Sequence, residues 1–463
     1  MLFIPVLKRH DIYGSQVETN HFVEKTSPIV ASNAFLHRYL KKPLRHHFQR
    51  TSQNYGQIFS LWFGSRLVVV VSSPSAVQEC FTRNDIVLAN RPQFRPGKHI
   101  YYNYTTVSSA PYGVHWPNLR RILVLDILST RRLNYFMEMR RDEMKLLVQK
   151  LAHDSRKGFT KVELRSRFSE LTFNTMMRMI SGKRYWGDDS KVEDVEEARK
   201  FRETMKELLM LGGANNPRDF LPTLRWFDLD NLEKKLKGIS LRFNRFLQRI
   251  VDEHRSGNTL INHLLTLQKS EPEYYTDQII KGLVLFTESS RDINKGKARN
   301  RVTIGQEHLI DEQEALKLPY LQSIVCETFR LHPAGPLLLP HMSSDKCTMG
   351  DYNIPPDTIV LINAWAIHRD PQLWSDPLCF RKKEGEANKL MHFGLGRRAC
   401  QGSGLAQRSM SWALGLLIQC FEWKQVSEEE IDMTEGEGLI LSKVVPLEAM
   451  CKARQEIVDK SLI

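Results

Sequence analysis

A cysteine near the C-terminal end of the chain has the surroundings of a metal-binding thiolate. Cys400 follows the glycine-rich stretch FGLGRRA and precedes a mostly apolar run, Leu405–Phe421, that predicts a helix. The positive end of a helix dipole and the adjacent Arg397 and Arg398 both favour the thiolate over the thiol. Because the thiolate is the form that binds metal ions, we expect Cys400 to be a metal ligand.

The number and spacing of the cysteines indicate which kind of metal site is expected. The chain has seven cysteines and no CxxC pair, so a zinc site with four protein ligands has little support. A single thiolate suits haem iron better, because the porphyrin supplies the equatorial nitrogens and the protein supplies an axial ligand. Cysteine and glycine alone also fit a glycine-rich turn with a buried, inert cysteine before a core helix.

Two further pairs of side chains have spacings that suit chemistry next to such a site. Trp116 and Arg120 are four residues apart at the start of a predicted helix, so they share one face of it. Glu288 and Ser289 place an acid and a hydroxyl in an apolar helix predicted from Tyr274 to Ser290. An acid beside a hydroxyl is the combination that proton delivery requires.

Glu327 and Arg330 form a third pair, three residues apart in a helix predicted from Leu316 to Leu331 and ended by Pro333. Its ordinary interpretation is a weak surface ion pair. His341 follows an apolar run that predicts a strand, and the ordinary interpretation of this histidine is a capped strand end.

Composition and charge restrict the class of protein. No linker or low-complexity segment divides the 463 residues, and 41% of them are hydrophobic, enough for a sizeable core. The net charge of +13 comes from scattered lysines and arginines without a nucleic-acid motif. This pattern favours an acidic protein partner or an anionic membrane surface over nucleic acid. Cysteines without framework spacing favour a reducing compartment.

The elements predicted from hydrophobic patterning are mostly helical. A β-branched and aromatic run from Ile58 to Ser72, with a Gly-Ser turn, predicts a hairpin. Charged amphipathic helices are predicted between Asp126 and Leu267, and further strands after Leu337 and Thr358. The N-terminal apolar run before Lys8 is too short to span a bilayer, so no transmembrane helix is expected.

The order F-x-x-G-x-R-x-C-x-G, from Phe393 to Gly402, resembles the haem-thiolate signature of the cytochromes P-450. The resemblance implies that Cys400 is the axial ligand of haem b and that Arg398 contacts a haem propionate. It also implies that Phe393 packs near the sulfur and that Gly396 belongs to the cofactor-binding loop.

Two more motifs resemble those of the same family. Trp116 and Arg120 match its W-x-x-x-R, which implies that both contact a haem propionate, and His341 can approach a propionate as well. Glu327 and Arg330 match its E-x-x-R, a structural pair that locks the core beneath the haem.

The region around the predicted proton-delivery residues departs from the family pattern. Glu288 and Ser289 resemble the acid and alcohol of A/G-G-x-[DE]-[TS]-[TS], but Phe286 stands where a small residue belongs. The charged run Arg291–Arg301 replaces the rest of that helix and the next, so about 25 residues of the family's I and J helices are expected to be absent. The family's P-E-R-F stretch is missing between Phe380 and Glu384.

The resemblance extends from Leu44 to Arg454 and is closest to plant microsomal cytochromes P-450 of the isoflavone hydroxylase group. It implies a mainly α fold with small β-sheets, an α+β class. A single domain is expected over residues 43–454, between a divergent segment without a membrane anchor, 1–42, and a tail, 455–463.

The activity implied is hydroxylation of a small aromatic plant secondary metabolite, isoflavonoid or flavonoid-like, by a haem-thiolate monooxygenase that uses O2. The chain has no GxGxxG after a strand, so electrons are expected from NADPH through a separate NADPH-cytochrome P-450 reductase. Family members lie on the cytosolic face of the endoplasmic reticulum membrane; without an anchor the chain would be cytoplasmic. Two alternatives remain open: a haem-binding but catalytically impaired form, and a non-enzymatic interaction or misfolded product.

Overall fold

The computed structural model describes residues 43–187, 192–211, 219–220, 231–253, 259–288, 308–380, 390–436 and 440–461. Within these residues the α-helices, numbered in chain order, are α1 Leu44–Tyr55, α2 Pro74–Phe81, α3 Arg95–His99, α4 His115–Arg121, α5 Thr130–Tyr135, α6 Met137–Asp154, α7 Leu164–Ser181, α8 Val192–Leu211, α9 Leu232–Glu253, α10 Leu260–Ser270, α11 Asp277–Glu288, α12 Glu312–Lys317, α13 Pro319–Leu331, α14 Ala364–Ile367, α15 Ser403–Cys420 and α16 Gln455–Ser461. None of these helices is long and apolar enough to cross a membrane.

The strands of the described residues form three small sheets. They are β1 Ile58–Phe63, β2 Arg66–Val71, β3 Thr160–Glu163, β4 His341–Met342, β5 Cys347–Met349, β6 Tyr352–Ile354, β7 Ile359–Ile362, β8 Phe421–Lys424 and β9 Glu448–Ala453. The orders are β1-β2-β7-β4, β3-β9-β8 and β5-β6. The β1–β2 hairpin is antiparallel and pairs Ile58 with Val71, which confirms the predicted hairpin. The predicted mainly α class with small sheets is also confirmed.

Proline chemistry corrects one predicted helix. The helix expected from Leu316 to Leu331 is two helices, because α12 ends at Lys317 and α13 begins at Pro319. Pro319 has no N–H for a helical bond and disfavours the helical conformation in the preceding residue. Leu318 is accordingly extended, with φ −84° and ψ 104°.

Two large apolar clusters form most of the core of the described residues. One joins α4 with α7, α8, α9, α10 and α11, and it contains Trp116. The other joins α6, α12, α13, α15 and the sheet β3-β9-β8. Because α15 follows Cys400 directly, the packing of the second cluster fixes the direction in which the cysteine loop enters its helix.

A fully buried ion pair crosses the second cluster. Arg140 of α6 donates Nε and Nη2 to the two carboxylate oxygens of Glu312 in α12, at 2.7 and 2.8 Å, and both side chains are 0% exposed. Arg408 of α15 donates to the same carboxylate at 3.1 Å. One carboxylate thus joins three helices, and it compensates one fully buried cation, Arg140, and one partly buried cation, Arg408.

A second charged cluster is centred on Glu435, in the loop after β8. Arg45 of α1 lies 2.8 Å from its carboxylate, while His46, His332 and Arg369 lie 3.7 to 3.8 Å away. Burial alone raises the pKa of Glu435, but the nearby imidazoles of His332 and His46 and the charges of Arg45 and Arg369 outweigh it. The pKa of Glu435 therefore lies well below its usual range.

We expect Glu435→Gln to destabilise the protein in a pH-dependent way. A pKa that folding lowers contributes stability above the unfolded-state pKa of about 4.3, and this stability is lost as the pH falls further. The difference in free energy of unfolding between parent and variant should therefore be constant above about pH 5 and shrink below it. Urea unfolding across that range measures it. Glu429→Gln removes an exposed carboxylate of the same loop, and its free energy of unfolding should hardly differ from that of the parent at any pH. A difference for Glu435→Gln that does not shrink in acid would contradict the lowered pKa of Glu435.

Candidate metal centre

The cysteine loop is closed by its own backbone hydrogen bonds. The amide of Cys400 donates to the carbonyl of Phe393 at 2.8 Å, and Gly394 donates to Met391 at 2.9 Å. Gly394 and Gly396 have φ of +69° and +65°, a region that favours glycine. The following helix, α15, begins at Ser403, so Cys400 lies just before a helix N-terminus as predicted.

Asp85 fixes this loop from a distant part of the chain. Its carboxylate accepts from the backbone amide of Arg397 at 3.0 Å and lies 3.2 Å from Nε of the same residue. A Cβ on Gly396 would stand 2.3 Å from an oxygen of Asp85. Gly396 is identified from the sequence, whereas Asp85 lies in the short loop after the helix that ends at Phe81 and carries no other sequence signal.

The protonation of Cys400 differs from the sequence expectation. Burial raises the pKa of its thiol, while hydrogen bonds from the amides of Gly402 and Ser403 and the charge of Arg120 lower it, with burial the largest effect. The helix N-terminus therefore acts as expected. The predicted contribution of Arg397 and Arg398 was wrong, since Arg397 pairs with Asp85 and a different arginine acts on the sulfur.

Arg398 instead points away from the sulfur, towards the loop before α4. It donates to the carbonyls of Ala89, Val107 and Ala110 at 2.7, 3.1 and 2.6 Å. Its guanidinium carbon lies 4.2 Å from the ring centroid of Trp116. The structure thus brings together two of the predicted cofactor residues.

Trp116 and Arg120 share one face of α4, as their spacing predicts. The guanidinium carbon of Arg120 lies 5.6 Å from the centroid of the Trp116 ring. Arg120 donates to the carbonyl of Ala399 at 3.2 Å, directly next to the cysteine. The indole N–H of Trp116 donates to the carbonyl of Val107 at 3.0 Å.

Three arginines near the loop form a partly buried cationic cluster that consists of Arg91, Arg120 and Arg398. Burial, followed by the charges of Arg91 and Arg120, lowers the pKa of Arg398 to about 8. Burial lowers the pKa of Arg91 to about 10. None of the three forms an ion pair with a carboxylate in the part of the chain that the structure describes. Such a cluster is the complement of an anionic group.

His341 lies at the edge of the same cluster. Its Nδ1 is 2.8 Å from the carbonyl of Leu88, and its ring packs edge-on against Phe81 with centroids 5.0 Å apart. Burial and the charges of Arg91 and Arg398 lower its pKa well below the usual value, so the imidazole is neutral. Arg91 donates to the carbonyls of Leu339 and Pro340 and was not identified from the sequence.

Glu327 and Arg330 are buried, which corrects the ordinary interpretation of a surface pair. Two hydrogen bonds of 2.7 Å join them on one face of α13. Arg330 also donates to the carbonyls of His368, Pro377 and Cys379 at 2.8, 2.7 and 2.9 Å. The pair therefore organises the chain segment that leads to the cysteine loop.

Phe393 belongs to an aromatic group next to this pair. Its ring centroid lies 5.2 Å from that of Phe329 and 4.3 Å from that of His392.

The predicted acid Glu288 ends α11, and its side chain lies outside the described residues, as does the whole of Ser289.

A single cysteine in a glycine-bent loop at a helix start, beside cations without a carboxylate partner among the described residues, is the arrangement that a haem-thiolate centre requires. The sequence model of the family described as Cytochrome P450 matches residues 24–285 and 299–449. The chain belongs to the cytochrome P450 family.

Curated relatives agree with this assignment. The chain is 55% identical to isoflavone 3'-hydroxylase of Medicago truncatula, over 92% of this chain and 91% of the relative. It is 52% identical to isoflavone 2'-hydroxylase of Glycyrrhiza echinata, over 90% of each chain. It is 46% identical to (+)-piperitol/(+)-sesamin synthase of Sesamum radiatum, over 90% of this chain and 88% of the relative. The chain is thus a plant cytochrome P450 of the isoflavone hydroxylase-like group.

The residues present fit the cofactor of the family, haem b. The cofactor needs one axial protein ligand and carries two carboxylates. Cys400 offers the sulfur for the axial position. The arginine cluster offers cations that have no carboxylate partner among the described residues. Members of the family are monooxygenases that use O2, a small substrate and a redox partner.

Proposed function

We propose that this chain is a haem-thiolate monooxygenase that hydroxylates a small aromatic plant metabolite of the isoflavonoid type. The observation that carries the proposal is the position of Cys400 beside the partly buried cluster of Arg91, Arg120 and Arg398. The names of the relatives, two of which are isoflavone hydroxylases, support the substrate class.

Each residue of the site has a role in this proposal. Cys400 holds the haem iron through its sulfur, and bound haem supplies activation of O2. Arg120 and Arg398 would hold the haem carboxylates by charge-assisted hydrogen bonds, and the ring of Trp116, whose N–H donates to Val107, would support the guanidinium of Arg398. His341 remains neutral and adds a polar contact to the same edge of the cofactor. Binding of the carboxylates would oppose the lowering of the Arg398 pKa by burial.

Residues of the cysteine loop and of helix α13 set the shape of the cysteine site. Gly396 keeps the loop close to Asp85, where a Cβ has no room. Phe393 covers the side of the loop that carries the sulfur and excludes water from it. The exclusion of water strengthens the electrostatic contacts within the cysteine site. Glu327 and Arg330 hold the preceding segment in place from beneath.

The substrate pocket is proposed to include the loop before α4. Thr106 approaches helix α11 at Gly282, where an added Cβ would stand 3.2 Å from its methyl group. Tyr101 and Tyr102 belong to the same loop, and burial raises the pKa of each, so both are neutral phenols. A substrate with flat aromatic rings suits contacts with tyrosine side chains of this kind.

Electrons are proposed to come from NADPH through NADPH-cytochrome P-450 reductase at the cytosolic face of the endoplasmic reticulum. The net charge of +13 favours an acidic partner of this kind. Glu288 and Ser289 are proposed to supply the protons that the reaction consumes, the acid as donor and the hydroxyl as relay.

A second candidate function is a haem protein without turnover. The family match omits residues 286–298, and this interval includes both Glu288 and Ser289. Such a protein would keep the cysteine and arginine cluster, and would bind haem, while lacking the helix that delivers protons.

Turnover with a purified reductase decides between the two functions. The holoprotein is mixed with the reductase, NADPH and an isoflavone, and products are analysed by mass spectrometry after haem content has been measured. A product heavier by one oxygen atom, absent without NADPH, is the expected result. Full haem content without this product would establish the second candidate. Absence of haem would contradict both.

A further inference from the structure

His368 connects two parts of the site that are distant in sequence. It follows α14 and is 0% exposed. Its backbone carbonyl accepts from Nη1 of Arg330 at 2.8 Å. Since Glu327 holds the other two nitrogens of Arg330 at 2.7 Å, the ion pair determines where His368 lies.

The imidazole of His368 contacts the start of the cysteine loop. Its Nε2 accepts from the backbone amide of Met391 at 3.1 Å, in a fully buried hydrogen bond. The carbonyl of Met391 accepts from Gly394, and the carbonyl of Phe393 accepts from Cys400. Hydrogen bonds linked by short stretches of covalent chain therefore connect α13 through His368 to the backbone of Cys400.

The hydrogen bond to Met391 determines the tautomer of His368. Because Nε2 is an acceptor, the proton of the neutral ring is on Nδ1. Burial, followed by the charges of His392, Arg369 and Arg330, lowers the pKa of His368 to about 3, so the ring remains neutral at physiological pH. A protonated ring would have no lone pair for the amide.

We propose that His368 is a positioning residue for the axial cysteine, transmitting the fixed position of the Glu327–Arg330 pair to the cysteine loop through its Nε2 acceptor. The inference rests on the proposed role of Cys400 as the haem ligand. His368 follows apolar residues and precedes charged ones, and this sequence pattern does not indicate that it positions the cysteine loop.

The same tautomer excludes a second metal site at this position. His392 lies close enough to lower the pKa of His368, and the Nδ1 atoms of both rings are buried without a hydrogen-bond partner within the described residues. Two such nitrogens resemble a metal-binding pair. Nδ1 of His368 carries the proton, however, and its lone pair is not available to a metal.

Glutamine and methionine variants of His368 test the proposal, because the two side chains have nearly the same size and shape. Glutamine places an amide oxygen near the position of Nε2 and can accept from Met391, whereas methionine cannot. The first readout is the carbon monoxide difference spectrum of the reduced holoprotein, which reports whether the cysteine sulfur stays on the iron. The second is hydrogen exchange of the peptide that contains Met391, measured by mass spectrometry, which does not depend on haem.

His368→Gln should keep the red-shifted Soret band and the slow exchange of the parent. His368→Met should lose much of the band, and the Met391 amide should exchange about 5- to 100-fold faster, the change that corresponds to one lost buried hydrogen bond. The proposal would be overturned if both variants kept the parental band and slow Met391 exchange. It would also be overturned if both lost the band and the slow exchange to the same extent. Neither readout uses a substrate, so a parent that binds haem but forms no product would refute the proposed function and leave this test intact.

Discussion

Cys400→Ser should abolish the strongly red-shifted Soret band of the reduced, carbon monoxide-bound protein while the fold remains intact. A serine hydroxyl is nearly the same size as a thiol but does not ionise near neutral pH, and it does not donate electron density to iron as a thiolate does. The amides of Gly402 and Ser403, which hydrogen-bond the sulfur, remain available to the smaller oxygen. The expected change is therefore in the spectrum and in turnover, each of which should fall to background.

Cys379→Ser is the matched control for this experiment. Cys379 is exposed, and its only described hydrogen bond to the site is made by its backbone carbonyl, which the substitution leaves in place. This variant should keep the parental band and the parental turnover. A red-shifted band that persists in Cys400→Ser would mean that another residue ligates the iron, and the proposed site would then be wrong.

Glu312→Gln should be among the most destabilising single substitutions in the protein. It removes the charge that compensates Arg140 and Arg408, and Arg140 is 0% exposed and has no route to water. Breaking a buried ion pair from one side costs about 3–5 kcal/mol, because the remaining charge is left buried without a counter-ion. The shift of the denaturant midpoint relative to the parent measures this loss.

Glu138→Gln is the control for the buried pair. Glu138 pairs with Arg141 at 2.7 Å on the surface of the same helix, and its side chain is 67% exposed. Surface pairs of this kind contribute about 0–1 kcal/mol, so the midpoint should hardly move. Replacing Arg140 and Glu312 together by methionine and leucine should recover part of the stability, since apolar side chains carry no uncompensated charge. If Glu312→Gln behaves like Glu138→Gln, the buried charge is not a main contribution to stability.

The class of the protein follows from residues that are close together in sequence. The glycines, arginine and cysteine of the loop from Phe393 to Gly402 act through local backbone geometry, and α15 begins at Ser403, two residues before the predicted start. Trp116 and Arg120 share a face because helical periodicity places side chains four residues apart on one side. Local spacing is sufficient for such features, since the helix or turn itself sets the relative positions of the residues.

The partners of each site residue depended on contacts between distant parts of the chain. Asp85 fixes the cysteine loop from more than 300 positions earlier, with a separation of 312 residues to Arg397. Arg91 completes the cationic cluster, and His368 joins the Glu327–Arg330 pair to the loop. No local pattern marks these residues, because their role comes from which elements pack together.

The protonation states show most clearly what the sequence determined and what it did not. The sequence alone determined that a cysteine preceded by two arginines stands before a helix N-terminus, and therefore that a metal-binding thiolate is chemically possible. Only the tertiary structure decided that burial raises the pKa of that thiol, that Arg120 rather than Arg397 or Arg398 opposes the rise, and that burial lowers the pKa of Arg398. The physical reason is that a pKa depends on burial and on charges nearby in space, and both are produced by packing between residues that the sequence keeps far apart.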